Sequence, residues 1–238
     1  HEVKLRDAIL VGLGFVGEFF FVSEGLRFTS AAHMSVLLYT SPFFAAIGLS
    51  IKLPEERLSV IQWAGLLTAF LGIAVEFLVP ALLSKETLEG SGWILGLGSG
   101  LSWGFTTIML RTTSMNNAPP SLMLFAQLFM AFVILTPLAF ITGQTTFHNS
   151  LVGWSSLLFQ AVIVSYASYL VWNFLLKQYL AARLGVLVFM TPIFGVILSV
   201  LLLGESVGMP FVFGSLLVLA GLLLMQAKTI LLVKKHSS

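Results

Sequence analysis

Two stretches decide the fold: residues 26–42, LRFTSAAHMSVLLYTSP, and residues 176–192, LKQYLAARLGVLVFMTP. They match at a fixed offset. Leu26-Arg27 pairs with Leu176-Lys177, Ala31-Ala32 with Ala181-Ala182, Val36-Leu37 with Val186-Leu187, and Ser41-Pro42 with Thr191-Pro192; Phe44 and Phe194 extend the match. After a slip of one residue, Glu56 falls on Glu205, Gly65 on Gly214 and Gly72 on Gly221. Leucine and valine coincide by chance in any apolar chain. A proline, a glutamate and two glycines in register over nearly 50 residues mark an internal repeat.

The repeat lies in a chain built for lipid. Of 238 residues only 22 are charged, twelve basic and ten acidic, and 58% are hydrophobic. Mean hydropathy is +1.00. A soluble domain carries about 25% charged residues, so this chain lacks the polar groups to cover a water-facing surface. A helix needs about 20 apolar residues to cross the bilayer. Eight stretches are read as spans: 8–27, 30–51, 59–83, 92–113, 120–142, 152–176, 181–203 and 208–233. They are continuously apolar, unlike the alternating strands of a membrane barrel. The expected fold is an all-α integral membrane protein, a polytopic helix bundle with short antiparallel connections.

The basic residues orient it. With a cytoplasmic N-terminus, that side collects Lys4, Arg6, Lys52, Arg57, Arg111, Lys177, Arg183, Lys228, Lys234 and Lys235, and the other side only Arg27 and Lys85. Cytoplasmic loops carry the excess of Lys and Arg, so both termini are expected in the cytoplasm. The first three spans correspond to the last three, five spans further on. An odd step reverses direction, so the two copies run oppositely through the membrane. Inverted-topology repeats underlie exchange between outward-open and inward-open states in transporters. The chain divides into a three-helix copy, residues 1–89, and a five-helix copy, residues 90–238.

These residues resemble the EamA-type repeat of the drug/metabolite transporter superfamily. The resemblance rests on Leu26 to Ala32, Ser41-Pro42, Glu56-Arg57-Leu58 and Gln62-Trp63-Ala64-Gly65 in the first copy. In the second it rests on Ser102-Trp103-Gly104, Ala181-Ala182-Arg183, Thr191-Pro192, Leu203-Gly204-Glu205 and Gly214. It implies ten helices in two five-helix repeats, of which two leading spans are missing here. It further implies export of amino acids and other metabolites, often across the bacterial inner membrane.

Several residues stand out as candidates. Glu18 lies mid-span, where a carboxylate is costly unless it faces water or a partner, or is protonated. It reads either as a site for a proton or a substrate ammonium, or as a buried, hydrogen-bonded packing group. Ser165, Tyr169, Trp172 and, less closely, Ser168 share a helical face at three- and four-residue spacing. That face suits a cavity for a zwitterion or an aromatic ring, or else hydrogen bonds between helices. Tyr39 and Trp103 are further cavity candidates. Gln127 and Gln160 read as cavity lining or as interhelical glue. Pro42 and Pro192 remove a backbone hydrogen bond mid-helix and are expected to act as hinges or static kinks. Gly92, Gly96, Gly100 and Gly104 form a stripe at four-residue intervals that lets another helix come close. Glu56 and Glu205 are expected to cap the helices that follow them, near their positive N-termini. His33 is read as a solvated residue at the interface.

The same sequence argues against other classes. A net charge of +2, spread between apolar runs, gives no nucleic-acid surface. There is no Cys, hence no thiolate metal site. Neither a metal-ligand cluster nor a phosphate loop is present, so no cofactor is called for and an enzyme is not expected. A channel would favour a symmetric ring of polar pore-lining residues. The expectation is a secondary exporter of amino acids or other small metabolites, working by proton antiport or by facilitated diffusion. Exporters of drugs, a membrane enzyme and a channel are the alternatives. Oligomeric state is left open.

Overall fold

The computed structural model describes residues 2–53, 58–84, 92–147, 149–178 and 190–236, with the backbone alone at 76–78, 80–84, 190, 192–193 and 225–236. Expectations resting on Glu56, Arg57, Lys85, Ala181-Ala182, Arg183, Val186-Leu187, the side chain of Pro192 and the boundary at 89/90 lie outside what is described. The described residues are helical in all eight stretches read from the sequence. In order they form α1 (Leu5–Gly25), α2 (Ala31–Leu38), α3 (Ser41–Lys52), α4 (Val60–Ser84), α5 (Gly92–Thr112), a 3₁₀ turn (Ser114–Asn117), α6 (Pro120–Ile141), α7 (Leu151–Phe159), a π segment (Gln160–Ser168), α8 (Tyr169–Gln178), α9 (Met190–Leu203) and α10 (Met209–His236). Among the described residues there is no strand.

Among the described residues, four helical spans are long and apolar enough to cross a membrane: Ala31–Lys52, Gly92–Thr112, Pro120–Ile141 and Leu151–Gln178. Their outward side chains are apolar, as a lipid-facing surface requires. Phe125, Phe129, Phe132 and Phe140 of α6 are exposed, as are Leu151, Leu158 and Phe159 of α7. In water such a surface would drive association.

Local signals in the sequence set the helix ends. Ser30 caps α2, its Oγ accepting from the His33 N–H at 3.2 Å. Ser59 and Gln62 open α4 as a reciprocal capping box: Gln62 Oε1 accepts from the Ser59 N–H at 2.9 Å, and Ser59 Oγ from the Gln62 N–H at 3.4 Å. Gly143, at φ 68°, closes α6. The Gln144 N–H reaches back to Ala139 O at 2.9 Å and the Gly143 N–H to Phe140 O at 3.2 Å, the paired bonds of a left-handed C-terminal cap.

The chain forms two compact units, residues 1–17 with 105–180 and residues 18–104 with 181–238. Each draws on both copies of the repeat, so units and copies do not coincide. In the first unit the start of α1 packs on α6, with Gly12 lying against Met130 and the Ala126 carbonyl. Asp7 ties α1 to the 3₁₀ turn: Ser114 donates its N–H at 3.1 Å and its Oγ–H at 2.7 Å to Asp7 Oδ2. Lys177 Nζ donates to Ala118 O at 2.7 Å. The start of α1, the α5–α6 turn and the end of α8 therefore share one end of this unit, and it carries Lys4, Arg6 and Lys177.

The second unit has its core where Ala32, Val36 and Leu37 of α2, Phe43 of α3, Leu66, Ala69 and Ile73 of α4, and Phe211, Val218 and Leu222 of α10 meet. The pairing of α4 with α10 is its most extensive. A Cβ on Gly72 would lie 2.5 Å from Gly214 O, and one on Gly221 would lie 2.5 Å from Gly65 O. The repeat aligns Gly65 with Gly214 and Gly72 with Gly221. Exchanging the copies therefore converts one contact into the other, so α4 and α10 run antiparallel about a local pseudo-two-fold axis. The glycine stripe of α5 is also buried here. Gly92 lies against Phe28 and Thr29, Gly96 against Leu37, Gly100 against Thr40 and Leu37, and Gly104 against Phe44 and Ser41.

Four expectations need correction. Residues 30–51 are not one helix kinked at Pro42: α2 stops at Leu38, and Pro42 lies in the first turn of α3. At that position its missing N–H leaves no helical bond unmade. Residues 152–176 are not uniformly α-helical, because Gln160–Ser168 is π. Glu205 does not cap the helix that follows it. Gly204, at φ 67°, turns the chain after α9, and the Glu205 carboxylate accepts from the N–H groups of Ala31 at 2.8 Å and Ala32 at 3.0 Å. It thus caps α2, 174 residues away in sequence. His33 is not simply solvated. Its Nδ1 lies 2.8 Å from Ser30 Oγ, and its ring lies 4.7 Å from that of Phe211.

Candidate functional site

In the second unit, three of the cavity candidates come together. Glu18, two-thirds of the way along α1, is only 3% exposed. Tyr39 ends α2 at the helix break, with φ −78° and ψ 12°. Leaving the helix there turns its ring onto Trp103 of α5, edge to face, with centroids 5.3 Å apart. Its hydroxyl hydrogen-bonds Thr191 of α9 and lies within electrostatic reach of the Glu18 carboxylate. Thr191 is the repeat partner of Ser41, and Ser41 opens α3 beside the same break. The glycine stripe of α5 makes this assembly possible: with Gly100 and Gly104 against α2 and α3, the helix axes come close enough for Trp103 to meet Tyr39. The outcome is a buried carboxylate, a hydroxyl pair and an indole face. A carboxylate binds an ammonium ion, and an aromatic face adds to that attraction.

The other candidates lie in the first unit. Ser165, Tyr169 and Trp172 are partly buried, and the Tyr169 ring packs edge to face on Phe15 of α1 at 5.0 Å. Ser168 turns outward and is exposed, its hydroxyl donating to Ile163 O at 2.8 Å. The reason is the π segment. Bonding to the fifth residue back widens the turn, so a three-residue step from Ser165 no longer returns to the same face, whereas the four-residue step to Tyr169 does. Asn173, one residue beyond Trp172, is the fully buried polar group of this face. Its Nδ2 donates to Gln127 Oε1 at 3.3 Å, and its Oδ1 has no partner. Gln127 thus joins two helices, while Gln160 is exposed. Asn173 continues the four-residue step of Ser165 and Tyr169, so the same spacing rule would have found it.

Two carboxylates at helix ends have shifted acidities. Asp7 is held below the usual range, chiefly by the Ser114 hydroxyl and then by its N–H, against the cost of burial. Burial alone would raise Glu205; hydrogen bonds from Ala32, Ala31, Ser199 and Ser30 outweigh it and leave the carboxyl lowered. Among the described residues no group of three or more His, Cys, Asp or Glu is placed to hold a metal ion.

The chain is similar to known proteins along most of its length. It matches the EamA-like transporter family over residues 4–78 and 90–226. The chain belongs to this family. It is 26% identical to a probable amino-acid metabolite efflux pump of Salmonella typhimurium over 92% of its own length and 76% of that protein's. It is 24% identical to the uncharacterised transporter YoaV of Bacillus subtilis, over 90% of this chain and 72% of the relative. An uncharacterised transporter of Archaeoglobus fulgidus is 25% identical over 85% and 69%. No solved structure matches it. This EamA-family chain is an integral membrane transporter, not an enzyme, and its spans are the polytopic helices of that fold. The expected drug/metabolite transporter resemblance holds across nearly all of it.

Proposed function

We propose that this EamA-family protein exports amino acids or closely related metabolites across the cytoplasmic membrane by alternating access, with both termini in the cytoplasm. The observation that carries the reading is Glu18, buried in α1 within electrostatic reach of Tyr39, which in turn meets Thr191 and Trp103. A charged carboxylate inside a bilayer is costly unless it serves a partner. A substrate ammonium is such a partner, and Tyr39, Thr191 and the Trp103 ring supply hydroxyls and an apolar wall for the rest of the molecule. The Salmonella relative's name points to the same class of cargo. Proton antiport fits the same carboxylate, which would release a proton on taking up the ammonium and regain one on the opposite side. Lys4, Arg6 and Lys177 at one end of the first unit support the orientation, and the α4–α10 pseudo-two-fold supports a pair of inverted repeats, residues 1–89 and 90–238.

The test is uptake of a labelled amino-acid panel, with one organic cation included, into inside-out vesicles. Wild type is expected to take up amino acids selectively, driven by a pH gradient, and Glu18→Gln is expected to lose uptake or its pH dependence. Selective uptake of the organic cation alone would replace the substrate class. Normal, pH-dependent amino-acid transport by Glu18→Gln would remove Glu18 from the site.

A further inference from the structure

A pocket of about 180 Å³ lies within the second unit, between α2, α9 and α10. None of the cavity candidates lines it. Its walls are Val36, Val196, Phe211, Val218 and Leu219, with one polar atom among them, the hydroxyl of Ser215. That hydroxyl is buried and has no hydrogen-bond partner. Serine in a membrane helix ordinarily satisfies itself on its own backbone, as Ser199 does on Val196 O at 2.9 Å. The mouth is formed by Ile197, Val212 and Leu216, exposed by 45%, 37% and 56%. A dry apolar cavity of roughly 150 Å³ already holds a six-carbon ring. From Phe211 to Leu219 the lining runs about 12 Å along α10, at roughly 1.5 Å per residue.

The lining also has a direction. At the α9–α10 turn, Phe211 touches the His33 ring, and beside it stand Ser30 and the Glu205 carboxylate on the N-terminus of α2. Toward Leu219 every group is a hydrocarbon. A polar end, a single unpartnered donor, then an apolar trough flanked by exposed Ile197, Val212 and Leu216 is the order of groups in an ester-linked lipid.

We propose that this pocket binds one acyl chain of a bilayer phospholipid, its ester carbonyl accepting the Ser215 hydroxyl and its headgroup lying at the level of His33 and Glu205. The methylenes follow Val218 and Leu219. Water does not compete for so apolar a trough, and no other solute in the bilayer approaches the concentration of lipid chains.

The protein is reconstituted in phosphatidylethanolamine–phosphatidylglycerol vesicles containing a small fraction of phospholipid with a photoactivatable diazirine in its acyl chain. After irradiation, labelled peptides are quantified by mass spectrometry. Peptides containing Ile197, Val212 and Leu216 are expected to label at least about fivefold above the more exposed Phe132 face of α6. Ser215→Phe fills the trough and is expected to remove that excess while leaving α6 labelling unchanged. Val196→Phe fills it from the opposite wall and serves where Ser215→Phe does not fold. Ser215→Ala, or an ether-linked probe lacking the carbonyl, is expected to lower labelling about two- to threefold. Competition by free fatty acid but not by unlabelled phospholipid would overturn the phospholipid assignment. Labelling of the pocket equal to that of α6, or unchanged by both filling substitutions, would overturn the site itself.

Discussion

Gly72 and Gly221 offer the sharpest test of the architecture. A methyl group added at Gly72 would stand 2.5 Å from Gly214 O and 2.8 Å from Val218 N; one at Gly221 would stand 2.5 Å from Gly65 O and 2.7 Å from Ala69 N. Ordinary contact begins near 3.4 Å, so each methyl is about 0.9 Å too close. The obstacles are backbone atoms of the facing helix and cannot swing aside, so α4 and α10 must part. Between membrane helices, association rests largely on van der Waals packing, and a gap of about 0.5–1 Å forfeits a quarter to a half of each atom pair's attraction. Overpacking of this kind costs about 1–3 kcal/mol, against up to about 1 kcal/mol gained when alanine replaces a helical glycine. Gly72→Ala and Gly221→Ala are each expected to lose about 1–2 kcal/mol in reversible detergent-denaturant unfolding followed by tryptophan fluorescence. The double variant should cost less than the sum, by about 0.5–1 kcal/mol, because the first methyl already separates the helices for the second. If both single variants were as stable as wild type or more so, or the pair were additive, the reciprocal crossing would be wrong.

Three further outcomes are expected. The lowered Glu205 carboxyl stabilises the fold fully above its ordinary value of 4.5, and that contribution is lost as pH falls through its lower folded value. Glu205→Gln should therefore melt below wild type at pH 7 and converge with it once the pH falls below the lowered folded value; a gap that persists in acid, or none at pH 7, would count against the cap. Replacing only Gln127 or only Asn173 by leucine leaves a buried amide unpaired and should cost about 1–3 kcal/mol, whereas the double leucine variant should recover much of it; a double variant as unstable as the worse single one would mean the pair is not the source. Gly143→Ala has open space for its methyl but keeps φ 68°, so about 1–2 kcal/mol should come from backbone strain alone, read as a lower melting temperature.

Much of the fold was legible because the bilayer simplifies the code. Apolar runs such as 120–142 can be little but helices, and Ser59-x-x-Gln62 or Gly143 mark ends by chemistry confined to one turn. The glycine pairs were legible for a different reason: Gly65 with Gly214 and Gly72 with Gly221 appear twice in register, and that repetition supplied long-range information that a single copy lacks. Glu18 stood out by its cost, and Tyr39 and Trp103 by their size. What escaped reading was geometry set at a distance or by a change of helical period. Tyr39-Thr40 leaves the helix before Pro42, so the proline marks a helix start and not a bend within one. The π segment rotates Ser168 outward, with no residue to announce it. Glu205 joins the start of α2 because Gly204 turns the chain, and its partners are bare backbone N–H groups that any sequence would present.

The antiparallel crossing of α4 and α10 has a mechanical consequence. Its two points of closest approach, Gly65–Gly221 and Gly72–Gly214, stand seven residues apart on each helix, about 10 Å at roughly 1.5 Å per residue. The pivot between them is a fulcrum with equal arms. Tilting one helix on the other about that point moves the two ends of the seam by equal and opposite amounts. Opening one glycine contact would press the other, where backbone already meets backbone, so the seam resists tilting and holds the crossing angle.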